Sequence, residues 1–289
     1  MRKRLRKALS RALSPEDLAS VYNSYDIVGD IAIFRLPHAS LKNAKDIAEA
    51  IMSVHKNVKT VLAQVSPVVG DFRLRRLTHV AGENRTSTIH RESGCLFAVD
   101  VGKCYFSPRL HHERSRIVCL VKPNETVVNM FAGVGCFSII IAKHASASKV
   151  FSIDVNPAAF QFMRENIRLN RVYGKVIPLL GDSKATIEQQ LQHAADRVLM
   201  PLPEKAFEYL LSAVSALKVS GGWVHYYDFE HAEKTENPVE KAKLKVTEKL
   251  SSLNVAFGCP FSRVVRTTGP NWYQVVLDIH VTRVPDKFY

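Results

Sequence analysis

A glycine-rich turn and two strand-end acids give the first chemical signal. Val127 to Ser138, VVNMFAGVGCFS, reads as a strand, a tight turn and the start of a helix. Gly133 and Gly135 let backbone amides approach a ligand at a helix N-terminus. Asp154 closes the next strand in VFSIDVNP, 21 residues after Gly133, the spacing of a carboxylate that binds the hydroxyl pair of a ribose. Asp182 ends a third strand in IPLLGDS, where a polar side chain can face an adenine edge. The third glycine of a dinucleotide fingerprint is replaced by Ser138, which disfavours a pyrophosphate. An adenosine-bearing cofactor without phosphates is S-adenosylmethionine. A degenerate Rossmann turn with two strand-end aspartates is the competing account.

Two further stretches hold reactive or rigid groups. CYFSPRLHHERSR, Cys104 to Arg116, sets Glu113 among Arg109, Arg114 and Arg116: an ion-paired surface acid or a proton acceptor. His111 and His112 are adjacent on a loop with no carboxylate or cysteine at ligand spacing, so no metal site is expected. VLMPLPEKAF runs an apolar strand into Pro201-Leu202-Pro203. Proline fixes φ and donates no hydrogen bond, so the strand exit is stiff. Pro201 would stand at the carboxyl end of the fourth Rossmann strand, where doubly wound sheets place their ligands.

The elements that must position these groups differ in rhythm along the chain. From Ser14 to about Leu120 short strands and loops dominate: YDIVGDIAIFRL as a half-buried strand interrupted at Gly29, a helix from Ser40, VKTVLAQV as a strand, and TSTIHRESGCLFAVDV as two strands about Glu92-Ser93-Gly94. Ser14-Pro15 carries helix-start chemistry. From Glu125 strands and helices alternate. The expected strands are 126–131, 149–153, 176–180, 197–200 and 223–228, and the expected helices 137–144, 157–169, 185–192, 204–217 and 238–253. Two strands around Gly269-Pro270-Asn271 end the chain. The fold class expected is α/β: a mainly parallel, doubly wound Rossmann-like sheet closed by an antiparallel hairpin, preceded by a smaller α/β domain.

Of 289 residues, 46% are hydrophobic and 23% charged, ordinary for a globular protein. The net charge of +13 is not ordinary, and it favours a polyanionic partner, because neutralising phosphates releases counterions. The five cysteines are scattered without a CxxC pair, arguing for a reducing compartment over a disulfide framework or zinc site. The longest apolar run, around Ser138 to Ala142, falls short of the ~20 residues of a membrane helix. The basic start MRKRLRKALSRAL reads equally as an organelle presequence, a phosphate-gripping helix or a frayed end.

NMFAGVGCFSI, IDVNPAAFQFMRENIRLN, YDIVGDIAI, TSTIHRESGCLFAVDVGKCYFSPRLHHER and GGWVHYYDF together resemble the archaeal and eukaryotic tRNA guanine-37 N1-methyltransferases, which are class I Rossmann-fold enzymes. The resemblance covers nearly everything from Ser24 to Val281, and the segment from Tyr105 to Arg114 is its most discriminating piece. It implies a basic N-terminal segment (1–22), a small α/β RNA-binding and active-site domain (23–120) and a Rossmann-like S-adenosylmethionine-binding methyltransferase domain (121–289). The family often has an additional N-terminal domain, and 24 residues precede Tyr25 here, so a tRNA-elbow contact made by that domain is expected to be absent or supplied otherwise.

The roles implied are specific. Methylating guanine N1 requires removing its proton while charge moves onto O6. By resemblance Glu113 is the general base, Tyr105 orients the target base, and Arg73 meets O6. Their bland alternatives are a surface ion pair, a half-buried strand aromatic, and an RNA-phosphate contact beside Arg75 and Arg76. The cofactor set becomes Arg109, Phe131, Gly133, Gly135, Asp154, Val155, Asp182 and Ser183, with Arg109 on the cofactor carboxylate or else on a phosphate or carbonyl. Asn129 stands where the first strand commonly has an acid. Pro201 replaces the Asn of the family's Asn-Leu-Pro, keeping the rigid turn and leaving a backbone carbonyl for guanine's amino group. Expected partners are the anticodon stem-loop of tRNA, with basic groups such as Lys56, Lys59, Arg85 and Arg91 on its backbone and the target base splayed out. No membrane is expected, and a cytoplasmic monomer is. Two alternatives stand beside this reading. One is a wyosine-pathway enzyme acting on modified guanine-37, by carbon methylation or aminocarboxypropyl transfer; the other is a non-catalytic tRNA-binding protein.

Overall fold

A computed structural model of the chain describes residues 9–10, 25–35, 43–252 and 255–284. Apart from Leu9 and Ser10, the basic N-terminal segment and its Ser14-Pro15 helix start lie outside the described residues. The chain divides into two compact units, Met1–His111 and His112–Tyr289.

In the first unit, β1 (Tyr25–Val28), β2 (Ile31–Arg35), β3 (Thr60–Gln64) and β4 (Leu77–Gly82) form a sheet in that order. Helix α1 (Ala44–Val54) is the crossover that makes β2 and β3 parallel. Its buried Ile47, Ala48 and Ile51 share a core with Phe34, Val58 and Val61. The strand expected to be interrupted at Gly29 is a hairpin turning there, with β1 antiparallel to β2. Gly29 has φ +58°, and a Cβ on it would stand 2.3 Å from Thr88 Oγ1 and 2.6 Å from Ile89 O, so no other residue fits. Strands β5 (Ser87–Glu92) and β6 (Cys95–Asp100) pair antiparallel about Ser93 and Gly94, both at positive φ, as a two-residue hairpin requires. β4 escaped the sequence reading: its burial does not alternate, so LTHVAG lacks the period-two signature.

In the second unit, seven strands stand in the order β12-β13-β11-β10-β7-β8-β9: β7 (Thr126–Asn129), β8 (Lys149–Asp154), β9 (Val176–Leu180), β10 (Arg197–Met200), β11 (Gly222–His231), β12 (Ala256–Gly269) and β13 (Trp272–Arg283). β7 to β11 are parallel, and β13 runs antiparallel to both of its neighbours. The helices are α2 (His111–Leu120), α3 (Cys136–His144), α4 (Pro157–Leu169), α5 (Ser183–Thr186), α6 (Pro203–Ala216) and α7 (Pro238–Ser252). The chain winds outward from β7 through β8 to β9, then crosses back to β10 and out through β11. The switch point therefore lies between β7 and β10, and a ligand belongs at their carboxyl ends. The helix expected over 185–192 is instead the short α5 followed by a π turn, Ile187–Leu191, that carries the buried Ile187 and Leu191 into the core. No described helix is long and apolar enough to cross a membrane.

The units meet in sequence at His111/His112, whereas the sequence reading drew the line near residue 120. Helix α2 goes with the second unit because its side chains and its last carbonyl bond there. Arg197, at the start of β10 and 2% exposed, donates to Leu120 O at 2.8 Å and forks onto Glu125 at 2.8 and 3.0 Å. Its Nη1 lies 2.6 Å from His225 Nε2. Arg197→Leu would leave Glu125 buried without its cation, and it is expected to lower unfolding free energy by about 3–5 kcal/mol in a denaturant titration.

Candidate active site

At the switch point the first strand ends at Asn129, and Met130 N donates to Leu199 O at 3.0 Å, tying the turn to β10. Gly133 and Gly135 sit at φ +57° and +91°, conformations that L side chains rarely adopt. A Cβ at Gly135 would stand 3.0 Å from Ile139 Cδ1 and 3.1 Å from Met163 Cγ. Asp154 locks the turn from β8: Oδ2 accepts from Gly133 N at 2.6 Å and Oδ1 from Asn156 N at 2.9 Å. Each oxygen retains lone pairs for the hydroxyls of a ribose. Burial pushes the Asp154 carboxyl above the usual aspartate range, and the two amides oppose that rise. Val155, beside it in sequence, is an apolar side chain 44% exposed.

Asp182 caps α5 through Ala185 N at 3.1 Å and accepts from Tyr209 Oη at 2.5 Å. The Tyr209 ring stands edge-on to Phe131, centroids 5.3 Å apart. Phe131, Asp182 and Tyr209 therefore form one wall, of which the sequence reading named the first two. Tyr209 lay hidden in a helix whose apolar face already accounted for it. Ser183 is buried, and its hydroxyl donates to Met130 O, so it staples the loop after β9 to the turn after β7. Asn129 Nδ2 donates to Ser138 Oγ at 3.0 Å, while Asn129 Oδ1 is buried without a partner. Pro201 follows β10 directly, and Pro203 begins α6 at its first turn, so the stiff exit is the start of a helix.

In the first unit, Arg73 occupies a tight turn closed by paired bonds between Val69 and Leu74. Its φ of +53° is left-handed, which costs about 1–2 kcal/mol for a residue with a Cβ. Its guanidinium lies over the Tyr105 ring, 4.1 Å from the centroid, and that stacking returns about 0.5–2 kcal/mol. A residue held at such a cost and aimed at an aromatic face is a functional candidate. Arg109 Nε donates to Asp26 at 2.6 Å. Arg85 is likewise committed, to Asp30 at 2.6 Å and Glu83 at 2.6 Å.

In the second unit, Glu113 is 1% exposed in the first turn of α2. Oε2 accepts from Tyr227 Oη at 2.9 Å and Arg116 Nε at 3.1 Å. Oε1 accepts from Arg263 Nη2. Burial pushes the Tyr227 phenol well above its usual range, and Glu113 adds to that rise, so Tyr227 remains a donor at any working pH. Tyr227 and Arg263 reach Glu113 from β11 and β12, and no spacing in the sequence announces them.

Comparisons with known proteins identify the family. A family model described as "TRM5/TYW2 methyltransferase domain" matches residues 88–255, and one described as "TYW2 N-terminal domain" matches residues 5–86. The chain is 42% identical over 259 residues to the tRNA (guanine(37)-N(1))-methyltransferase Trm5b of Pyrococcus abyssi, covering 90% of this chain and 75% of that protein. It is 36% identical over 268 residues to the tRNA 4-demethylwyosine(37)-methyltransferase Taw21 of Saccharolobus solfataricus, covering 91% and 96%. Among solved structures, the complex of aTrm5 and tRNALeu has a TM-score of 0.83 at 35% identity, covering 97% of this chain and 79% of that one. Pyrococcus horikoshii TYW2 in complex with MeSAdo gives 0.76 at 28%, covering 98% and 99%.

A cofactor ribose held by Asp154 would make cofactor affinity depend on pH. Hydroxyls bind its ionised form more strongly, so cofactor affinity should be flat near neutrality and fall as pH drops through the carboxyl's pKa. Because burial raises that pKa, the fall begins at a higher pH than for an ordinary aspartate. Asp154→Asn should weaken cofactor binding by about 10–100-fold at neutral pH and flatten the acid limb, as read by calorimetry.

Proposed function

Because this chain belongs to the TRM5/TYW2 methyltransferase family, we propose that it methylates N1 of guanine-37 in tRNA with S-adenosylmethionine as donor. The observation that carries this reading is Glu113, a buried carboxylate oriented by two arginines and a tyrosine. When bound, the cofactor supplies a methyl carbon activated by its sulfonium. The chain's own task is to hold the reactants and move one proton.

Glu113 takes the N1 proton. Arg73 offers a planar, five-donor guanidinium to the oxygen that becomes anionic as that proton leaves. Tyr105 orients the base. The Pro201 carbonyl accepts from the guanine amino group in place of a side-chain amide. Asp154 holds the ribose. Val155, Phe131 and Asp182 frame the adenine, and Gly133 and Gly135 keep the turn open for close approach. Ser183 supports the site by stapling its loops, and Arg109 braces the segment before α2 through Asp26. Basic groups grip the tRNA backbone, and the anticodon stem-loop presents the base. The enzyme acts as a monomer in the cytoplasm.

A second reading has its own support: residues 5–86 match a TYW2-type N-terminal domain, and Pro201 departs from the Asn-Leu-Pro expected of an N1-methylating enzyme. In that reading the chain acts on a tricyclic derivative of guanine-37, methylating carbon or transferring the aminocarboxypropyl group of the same donor.

Nucleoside mass spectrometry of tRNA treated with enzyme and cofactor separates the readings. The expected product on unmodified tRNA is 1-methylguanosine, absent from transcripts with adenosine at position 37. An aminocarboxypropyl product, or methylation confined to tRNA already carrying 4-demethylwyosine, overturns the first reading in favour of the second. Glu113→Gln should slow single-turnover methylation by about 10²–10⁴-fold. Arg73→Gly should cost about 10²–10³-fold, with thermal stability unchanged or raised, because glycine accepts φ +53° without strain. Pro201→Asn should retain or raise 1-methylguanosine formation; its abolition in folded enzyme would give this proline a different role.

A further inference from the structure

The donors on Oε2 of Glu113 are fixed by a third layer of side chains in the same unit. Arg116 Nε reaches Oε2 while its Nη1 and Nη2 fork onto Asp278 at 2.5 and 3.1 Å. The Arg116 side chain is 17% exposed and Asp278 5%, and Phe261 lies 4.9 Å from the guanidinium carbon. Asp278 is the cross-strand partner of His225 and meets its Nδ1 at 2.6 Å. Arginine donates and never accepts, so Arg197 Nη1 makes His225 Nε2 the acceptor and leaves the ring proton on Nδ1, pointing at Asp278. A continuous run of charged and polar groups thus joins Glu125, Arg197, His225, Asp278, Arg116 and Glu113.

A lone Arg–Glu pair three residues apart on a helix is worth a few tenths of a kcal/mol and samples many rotamers. Arg116 is different: a bidentate carboxylate fixes the plane of its guanidinium, and that plane dictates where Nε points. The two oxygens of Glu113 are treated unequally. Oε2 is held from inside by Arg116 and Tyr227, whereas Oε1 faces Arg263, whose side chain is 40% exposed. Oε1 is therefore the oxygen that an arriving base can reach once Arg263 swings away.

We propose that Asp278 is a positioning residue for methyl transfer: through Arg116 it fixes the Glu113 carboxylate so that Oε1 takes the proton of the substrate base. The proposal rests on Glu113 as the general base. The bond broken is N1–H of the base and the bond formed is Oε1–H, with the N1 electron pair left to attack the methyl carbon. His225, held neutral by burial and by the nearby Arg197 and Arg116 cations against the opposing pull of Asp278, serves as the donor that keeps Asp278 turned toward Arg116.

The test is a double-mutant cycle in single-turnover methylation. Asp278→Asn keeps the shape of the side chain and removes its charge. It is expected to slow the chemical step by about 10–100-fold, with the dissociation constants of cofactor and tRNA changed less than about threefold. In a Glu113→Gln background the same substitution should change the rate less than about threefold, because there is no longer a base to position. Equal slowing in both backgrounds, or a wild-type rate for Asp278→Asn alone, overturns the proposal while leaving Glu113 as base. A wild-type rate for Glu113→Gln overturns the base assignment and the proposal together. Arg116→Lys keeps the charge but cannot fork to Asp278 and reach Glu113 at once. It should reproduce the slowing and its dependence on Glu113, and it carries the test if Asp278→Asn folds poorly.

Discussion

Pairing of buried charge is the constraint on which the second unit depends. Arg197 is 2% exposed at the foot of β10, and its guanidinium makes four hydrogen bonds, two to Glu125 and one each to the Leu120 carbonyl and His225. An unpaired ion at that depth would cost several kcal/mol, against a total stability that for most domains is about 5–15 kcal/mol. The pairing therefore dictates the surroundings. The loop from α2 into β7 must pass close enough for Leu120 O and Glu125 to reach β10. His225 must present Nε2 on β11, and Asp278 must then stand opposite on β13 to take the other ring nitrogen. Asp278 remains ionised although burial alone would push its carboxyl up, because His225 and Arg116 outweigh that cost. The antiparallel β13 thus joins β12 to the parallel strands and also delivers a carboxylate to α2.

The same economy holds at the cofactor end. Asp154 and Asp182 each have a local partner set: amides of the glycine turn and the next helix for one, a helix N-terminus and the Tyr209 hydroxyl for the other. Both carboxylates are oriented by these partners, so little ordering remains to be done when a ligand binds. A carboxylate that also caps its own helix does not need to be dragged into place. This explains why a turn with two glycines, rather than three, is sufficient: Gly135 opens the helix start against Ile139 and Met163, while Ser138 is buried behind it and accepts from Asn129.

Most of the second unit was legible because its strands are short, buried and regularly interleaved with helices. The strands read as 176–180 and 197–200 match β9 and β10 to the residue, and α4 matches the helix read as 157–169. Failures have physical causes. β4 is half-exposed along its length and carries no alternation. The segment after Asp182 ends in a π turn with Ile187 and Leu191 buried, and the i, i+4 spacing of those two residues reads the same in an α-helix. α2 carries no apolar face, being held instead by ion pairs, and nothing in HHERSRIVCL tells which unit those pairs belong to. Glu113, Arg73 and Asp154 were legible in the sequence as candidates for chemistry. Arg263 and Asp278 were not, because they reach Glu113 and Arg116 across 150 and 162 residues of chain, and a lone Arg or Asp in a strand has no local signature.

On the proposed function, Pro201 would let a site keep its stiff strand exit while changing the group that reads the substrate. A strand-end Asn recognises an amino group through a side-chain carbonyl that must itself be held in one rotamer. With proline there, the acceptor becomes a main-chain carbonyl already fixed by the strand before it and the helix after it. That acceptor loses reach but gains rigidity, and it brings no side-chain amide donor of its own. An enzyme reading the flat edge of guanine needs one acceptor for the amino group and a base for N1. An enzyme acting on a tricyclic derivative meets a base whose N1 edge is already built into a ring, where a donor-free, rigid wall is equally serviceable. On that reading the proline would leave the class of reaction intact and transfer the choice of substrate to the groups that face N1 and O6. In the proposed reading the chief of these is Glu113, whose buried partners would hold it for a base that still has a proton to give.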